Sequence, residues 1–127
     1  GIYDDPARFT SMAENLTTIE KSMNQINTLS QEQKPNYNQI VRWVQNKEDH
    51  ADELTHTVTY YFLAQRIKPV DKVDAAEYDN YIKKLTLTHA MISYCTKAKQ
   101  STDTAAVAQL RTLLDEFKKT YELEHNH

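Results

Sequence analysis

The hydrophobic residues of the chain recur at alternating spacings of three and four positions, a pattern typical of amphipathic α-helices that bury one face. Pro6 suits the first turn of such a helix. Lys34-Pro35 ends it, because a residue that precedes proline is pushed out of the α region. We therefore predict a first helix over residues 6–33. Its buried stripe is expected to consist of Phe9, Met12, Leu16, Ile19, Met23 and Ile26.

Polar residues suited to cap helix N-termini precede three further hydrophobic stripes. Asn36 with Gln39 resembles a capping box, because a short polar side chain is followed by a glutamine within the first turn. Asp74 with Glu77 forms a second pair of this kind, and a polar turn precedes the last stripe. The predicted helices are therefore residues 37–67, 75–100 and 103–124.

The connections between these predicted helices are short, which allows only antiparallel neighbours. Gly occurs once and Pro three times, whereas residues that favour helices are abundant, and this composition excludes an all-β fold with its many turns. A chain of 127 residues is long enough to bury a hydrophobic core by itself. We predict an all-α, antiparallel up-down-up-down four-helix bundle that forms a single domain over residues 1–127.

The charge balance and the absence of long apolar runs exclude two classes of partner. The formal net charge is -3, and the 15 basic and 18 acidic residues are interspersed without a basic patch, so we predict no nucleic-acid binding. No apolar run approaches the ~20 residues that a membrane-spanning helix needs. We therefore expect a chain that does not span a membrane.

The sequence contains no arrangement typical of catalysis. It has no glycine-rich loop and no nucleophile elbow, and Cys95 lies on the third hydrophobic stripe, where a thiol is expected to be inert. Glu53 and His56 have the spacing of a di-iron ligand pair, but this pair occurs once and His56 is predicted to face solvent. We therefore predict no catalytic residues, no metal site and no enzymatic activity.

A histidine on the core side of the third predicted helix is the strongest candidate for a cofactor ligand. His89 falls between Leu85 and Ile92 on the third stripe, so we expect it to be at least partly buried. His50 and Met23 are predicted to lie at a similar height in the bundle, which would bring three potential haem or metal ligands together. The alternative is a hydrogen-bonded core histidine beside a methionine that only fills space.

Aromatic residues gather near the connection between the second and third predicted helices. Tyrosine combines a rigid apolar ring with a polar hydroxyl, and a cluster of tyrosines suits a planar ligand or a protein partner. The alternative is a closed end of the bundle with no binding role. The candidate partner-binding residues are Tyr60, Tyr61, Tyr78 and Tyr81, with Phe62 beside them.

Two stretches of the chain resemble the periplasmic cytochrome b-562 family. Residues 14–21, with the sequence ENLTTIEK, look like the first helix of that family, and residues 105–121 are similar to its last helix. The resemblance implies a four-helix bundle exported to the periplasm, with a non-covalent haem between a methionine and a histidine. Here the two ligand positions fall on Phe9 and Lys118. The resemblance therefore implies a relative whose haem site is lost or has moved to another methionine or to His89.

These observations favour a non-enzymatic helical bundle, periplasmic or otherwise exported, that binds an unidentified protein or small ligand and needs no cofactor. The alternative is a cytochrome b-562-like electron carrier in which His89, with His50 or Met23, binds haem or a metal. A wide apolar surface on the second predicted helix also favours a module that dimerises, so monomer and dimer both remain open.

Overall fold

The computed structural model describes residues 3–125, and these residues form four helices with short connections and no strand. The predicted all-α four-helix bundle is therefore confirmed. The first two and the last two residues of the predicted domain lie outside the described residues. The helices are α1 (Asp5–Ser30), α2 (Tyr37–His56), α3 (Ala75–Lys99) and α4 (Ala105–His125), and a π-helix (Thr57–Arg66) continues α2 without a break.

Contacts at the two ends of α1 establish its antiparallel arrangement. Asp5, at the start of α1, contacts Arg66 at the end of the π-helix and Tyr121 near the end of α4. At the other end of α1, the side-chain amide of Asn27 donates a hydrogen bond to the carbonyl oxygen of Thr102 at 3.0 Å, just before α4 begins. α1 therefore runs antiparallel to α4 and to the helix formed by α2 and the π-helix. α3 packs against both α2 and α4.

Short polar side chains fix the N-termini of the first three helices. The carboxylate of Asp4 accepts a hydrogen bond from a backbone N–H of the first turn at 3.1 Å, and the side chains of Asn36 and Asp74 do the same at 3.2 Å and 3.1 Å. Pro6 lies in the first turn of α1, where its missing N–H costs no hydrogen bond. Each such cap stabilises its helix by about 1 kcal/mol. The caps predicted at Asn36 and Asp74 are confirmed.

The core is a continuous hydrophobic cluster to which all four helices and the π-helix contribute. Every residue of the stripe predicted for α1 is buried. Burying one large aliphatic side chain stabilises the fold by about 2 kcal/mol, so this stripe is a major source of stability. No described helix is both long enough and apolar enough to cross a membrane. The largest fully buried side chains include Met12, Leu16, Ile19, Met23, Leu54, Phe62, Met91, Leu110, Phe117 and Tyr121.

The buried face of α3 differs from the stripe that the sequence predicted. His89, which that stripe placed inside, is exposed, whereas Lys84 and Thr88 are buried. Thr88 fits the core because its hydroxyl donates to the backbone carbonyl oxygen of Lys84 at 2.8 Å and needs no partner outside the helix. The predicted stripe was rotated around the helix because it left out Lys84 and Thr88, two polar residues that are buried. The buried face consists of Lys84, Leu87, Thr88, Met91, Cys95 and Ala98.

The second helix changes from α to π geometry where the sequence predicted an uninterrupted α-helix. In the π-helix each backbone N–H bonds to the carbonyl oxygen five residues earlier, and the N–H of Ile67 closes the last turn on Phe62 at 2.8 Å. Tyr61 and Phe62 are both buried. π-helices are rare and frequently occur at functional sites. This end of the bundle is therefore where a functional site is expected.

A buried lysine joins α2 to the end of α3. Lys47 is 3% exposed, and its ammonium group donates hydrogen bonds to the carbonyl oxygens of Lys99 at 2.9 Å and Ser101 at 2.7 Å. Burial lowers the pKa of Lys47. The side chain therefore satisfies carbonyl groups for which the end of a helix provides no backbone partner.

We expect Lys47→Ala to lower the free energy of unfolding by about 2 kcal/mol, because the carbonyl oxygens of Lys99 and Ser101 lose a charged donor. Urea denaturation followed by circular dichroism measures this change. Lys83→Ala, at an exposed position of α3, is the matched control and should change the same free energy by less than about 0.5 kcal/mol. Equal effects of the two substitutions would contradict the capping role of Lys47.

Candidate functional site

Charge-assisted hydrogen bonds surround the carboxylate of Asp5 at one end of the bundle. Its Oδ1 accepts from the hydroxyl of Tyr61 and from Nε of Arg66, the latter at 3.2 Å. Its Oδ2 accepts from the hydroxyl of Tyr121 at 2.8 Å and from Nη2 of Arg66 at 3.0 Å. Arg66 Nε also lies 3.1 Å from the hydroxyl of Tyr121. We call these four residues, Asp5, Tyr61, Arg66 and Tyr121, the Asp5 cluster.

Three helical elements place the Asp5 cluster. Asp5 is the first residue of α1, and Tyr121 lies near the end of α4. Tyr61 and Arg66 lie five positions apart on the π-helix. This spacing equals one hydrogen-bonded turn of a π-helix, whereas in an α-helix two such residues would point about 140° apart. The π geometry therefore turns both side chains toward the same carboxylate.

The Asp5 cluster is held in one charge state. Burial alone would raise the pKa of Asp5, but the hydrogen bonds from Arg66, Tyr61 and Tyr121 lower it below its ordinary value. Burial and the hydrogen bond to Asp5 raise the pKa of Tyr61 to about 12, and the same two causes raise the pKa of Tyr121. The hydrogen bond to Asp5 raises the pKa of Arg66. At neutral pH the carboxylate and the guanidinium are therefore charged, and both phenols are protonated.

This arrangement suits positioning rather than proton transfer. Each carboxylate oxygen of Asp5 already accepts two hydrogen bonds, so no lone pair remains with which it could act as a general base. A tyrosine phenol is already protonated near neutral pH, and the raised pKa values of Tyr61 and Tyr121 move their ionisation further into the alkaline range. The Asp5 cluster is therefore a clamp that joins α1, the π-helix and α4.

Tyr3 forms an exposed surface on this clamp. It is 39% exposed, its ring meets the ring of Tyr61 edge-on at a centroid distance of 6.1 Å, and the guanidinium of Arg66 lies 4.4 Å from its ring centroid. The guanidinium of Arg8 lies 4.7 Å from the ring centroid of Tyr61. No hydrogen bond from the described residues reaches the hydroxyl of Tyr3. Tyr3 is therefore a partly exposed tyrosine whose ring packs on the ring of Tyr61 and the guanidinium of Arg66.

The three predicted cofactor-binding residues lie in different environments. Met23 is fully buried in the core, and His50 is partly buried with its Nδ1 2.8 Å from the backbone oxygen of Asn46. His89 is exposed, so its predicted burial is wrong, because the buried face of α3 is rotated away from it. No hydrogen bond or ring contact among residues 3–125 joins any two of the three predicted ligands.

The four tyrosines predicted to bind a partner do not gather into one cluster of ring contacts. Tyr61 is buried in the Asp5 cluster, whereas Tyr60 is 62% exposed and its ring packs on His56 at a centroid distance of 4.5 Å. Tyr78 and Tyr81 pack on each other at 6.3 Å. Binding of a partner by these tyrosines stays a prediction.

The sequence did not single out Asp5, Arg66 or Tyr121 as functional residues. Tyr121 carried one usable signal, because a tyrosine on a buried stripe needs a partner for its hydroxyl. Asp5 stands beside a capping residue, and Arg66 stands at the end of a predicted helix, where charged residues are ordinary. Their pairing depends on the π-helix, which no spacing in the sequence indicated.

Comparison with known proteins identifies a family of enzymes. A model of the nickel-containing superoxide dismutase family matches residues 1–125. No curated protein and no solved structure matches the chain. The matched range contains the whole Asp5 cluster together with Tyr3.

This match corrects several expectations from the sequence. The resemblance to the cytochrome b-562 family is wrong, because the matched family is a different one. The two stretches that carried the resemblance, residues 14–21 and 105–121, consist of common helix-forming residues, which recur in unrelated bundles. The expectation of a non-enzymatic binding protein is wrong, because superoxide dismutases are enzymes. The expectation of no cofactor is wrong, because the family contains nickel, and neither haem nor an electron carrier is supported.

We expect Asp5→Asn to lower the free energy of unfolding by about 2 kcal/mol at neutral pH, because Arg66, Tyr61 and Tyr121 lose a charged acceptor. Urea denaturation measures the change, and Asp115→Asn at an exposed position of α4 is the matched control. The lowered pKa of Asp5 means that its stabilising effect is present above the ordinary value of 3.8 and is lost as the pH falls below the lowered value. A difference between Asp5→Asn and the unsubstituted protein that persists unchanged in strong acid would contradict this account.

We expect Tyr61→Phe to remove one phenol from the alkaline titration of the folded protein, the one that ionises at about pH 12. Ultraviolet absorbance of phenolate measures this loss. Because the pKa of Tyr61 is raised from 10.0, its stabilising effect is present below pH 10.0 and is lost as the pH rises toward 12. Tyr37→Phe, at an exposed site of α2, is the matched control for the loss of a phenol. An unaltered titration near pH 12 in Tyr61→Phe would argue against its bond to Asp5.

Proposed function

The chain belongs to the nickel-containing superoxide dismutase family, and from this membership we propose that it takes part in the disproportionation of superoxide. In this reaction one superoxide anion is oxidised to dioxygen, and a second is reduced, with two protons, to hydrogen peroxide. The observation that carries the proposal is the family match over residues 1–125, which spans all four helices.

The described side chains do not fit nickel. Nickel favours nitrogen and sulfur donors, and a protein site needs several of them close together. Within the part of the chain that the structure describes, no three histidine, cysteine, aspartate or glutamate side chains form such a group. The single cysteine, Cys95, is 1% exposed in the hydrophobic core. No step of the reaction is therefore assigned to nickel within the described helices.

The surface that Tyr3 forms on the Asp5 cluster is the part of the bundle that supports superoxide chemistry. Ionisable groups with shifted pKa values meet there beside a π-helix, and both features are typical of functional sites. Tyr3 is partly exposed, and a tyrosine hydroxyl can donate a hydrogen bond to a small anion. The guanidinium groups of Arg8 and Arg66 lie beside the tyrosine rings. The Asp5 cluster holds this surface in place.

We expect the purified protein to consume superoxide faster than its spontaneous dismutation, at a rate proportional to its bound nickel. Pulse radiolysis gives the rate, and elemental analysis gives the nickel content. Removal of nickel by a chelator should abolish the activity, and added nickel(II) should restore it. A protein that retains stoichiometric nickel and yet consumes no superoxide would rule out the proposed function.

We expect Tyr3→Phe to lower the dismutation rate by about 10- to 100-fold, because the surface loses the hydrogen-bond donor of Tyr3. Tyr37→Phe removes a hydroxyl from an exposed tyrosine on α2 and should leave the rate unchanged. Both rates are measured by pulse radiolysis at equal nickel content. Equal rates for the two variants would show that the Tyr3 hydroxyl takes no part in the reaction.

A further inference from the structure

We infer that no thiol or imidazole of the described helices is a nickel ligand, an inference that rests on the proposed function of the protein as a nickel-containing dismutase. The helices then serve as a scaffold, and other atoms of the protein bind the metal. The candidate donors are one cysteine and three histidines whose side chains the structure describes. Each of them is unsuitable for a stated physical reason.

Cys95 is sealed in the core as a protonated thiol. It is 1% exposed, and burial raises its pKa to about 11, although a hydrogen bond with the side chain of Thr55 lowers it. A metal binds the thiolate, so nickel at Cys95 would require a charge in an apolar environment. Met91 and Ala98, which lie about one turn away on the same face of α3, are fully buried and uncharged. They offer no second ligand. The acidic group that acts on Cys95 is Asp52 of α2, which also raises the pKa of the thiol and is paired with Lys99 at 2.7 Å.

None of the three described histidines belongs to a group of three or more potential metal ligands within residues 3–125. His50 uses Nδ1 in a contact of 2.8 Å with the backbone oxygen of Asn46, which leaves only Nε2 for a metal. His56 is exposed, and its ring packs on Tyr60. His89 is exposed on α3. An imidazole that belongs to no such group provides one coordination bond, or two with a single neighbour, which is too few for a nickel site.

The carboxylates do not complete a site. No group of three or more histidine, cysteine, aspartate and glutamate side chains within the described residues is arranged to hold a metal. Asp5, the most heavily bonded carboxylate at the candidate functional site, accepts hydrogen bonds on both oxygens from Arg66, Tyr61 and Tyr121. A metal would have to displace these donors and break the clamp.

Two variants of the full chain test this inference. One carries His50→Gln, His56→Gln and His89→Gln together, and the other carries Cys95→Ala alone, so that the change in the core is kept separate. Each protein is incubated with nickel(II) chloride and passed through gel filtration, after which elemental analysis gives the nickel per chain. Superoxide consumption is measured in parallel by pulse radiolysis. We expect both variants to keep the nickel content and the activity of the unsubstituted protein.

The outcomes separate this inference from the proposed function. If circular dichroism shows that a variant is folded and the variant has lost its nickel, the inference is overturned and the proposed function still stands. An unsubstituted chain that binds no nickel and consumes no superoxide would refute the proposed function and agree with the inference. If Cys95→Ala does not fold, the absorption spectrum of the unsubstituted chain with bound nickel tests whether Cys95 is a ligand. Because the chain has one cysteine, a nickel–thiolate charge-transfer band would identify Cys95 as a ligand and overturn the inference.

Discussion

One end of the bundle depends on the hydrogen bonds that the carboxylate of Asp5 accepts from three other side chains. A carboxylate can leave water only if other donors replace its hydration, and here Arg66 and two tyrosine hydroxyls do so. The paired charges of Asp5 and Arg66 leave the cluster without net charge. Tyr121 can therefore enter the aromatic core, where its ring lies 5.7 Å from that of Phe9 and 5.4 Å from that of Phe62. The polar clamp and the hydrophobic core thus share a side chain, and each limits the movement of the other.

The π-helix lacks the regular hydrogen bonds of an α-helix, and its geometry aligns two side chains that an α-helix would separate. Tyr61 and Arg66 both reach Asp5 because one π-helical turn lies between them. Each also contacts Tyr3, Tyr61 through its ring edge and Arg66 through its guanidinium. The exposed tyrosine therefore stands on groups that are themselves fixed by hydrogen bonds. A surface organised in this way can meet a reactant with little reorganisation, which is a general requirement for catalysis.

The interior of the bundle and its end have different chemical characters. In the interior, the thiol of Cys95 is protonated, and the hydroxyl of Thr88 bonds within its own helix, so neither is available to a ligand. At the end, the charged groups of Asp5 and Arg66 are partly exposed and are held by the buried tyrosines Tyr61 and Tyr121. Membership of a family of nickel enzymes is therefore compatible with a bundle whose described helices stabilise and position but do not themselves bind the metal.

The sequence by itself determined the number of helices, their approximate ends, the caps at Asn36 and Asp74 and the buried stripe of α1, because these depend on interactions within one or two turns. The tertiary structure decided which face of α3 is buried, since Lys84 and Thr88 lie inside through contacts that their residue types do not indicate. It also decided the π-helix and the Asp5 cluster. Asp5 and Arg66 are separated by 61 positions, and no local pattern encodes a contact at that distance in the chain. The spacing of hydrophobic residues along the sequence therefore could not predict the candidate site, because the site forms only where the ends of three helical elements meet.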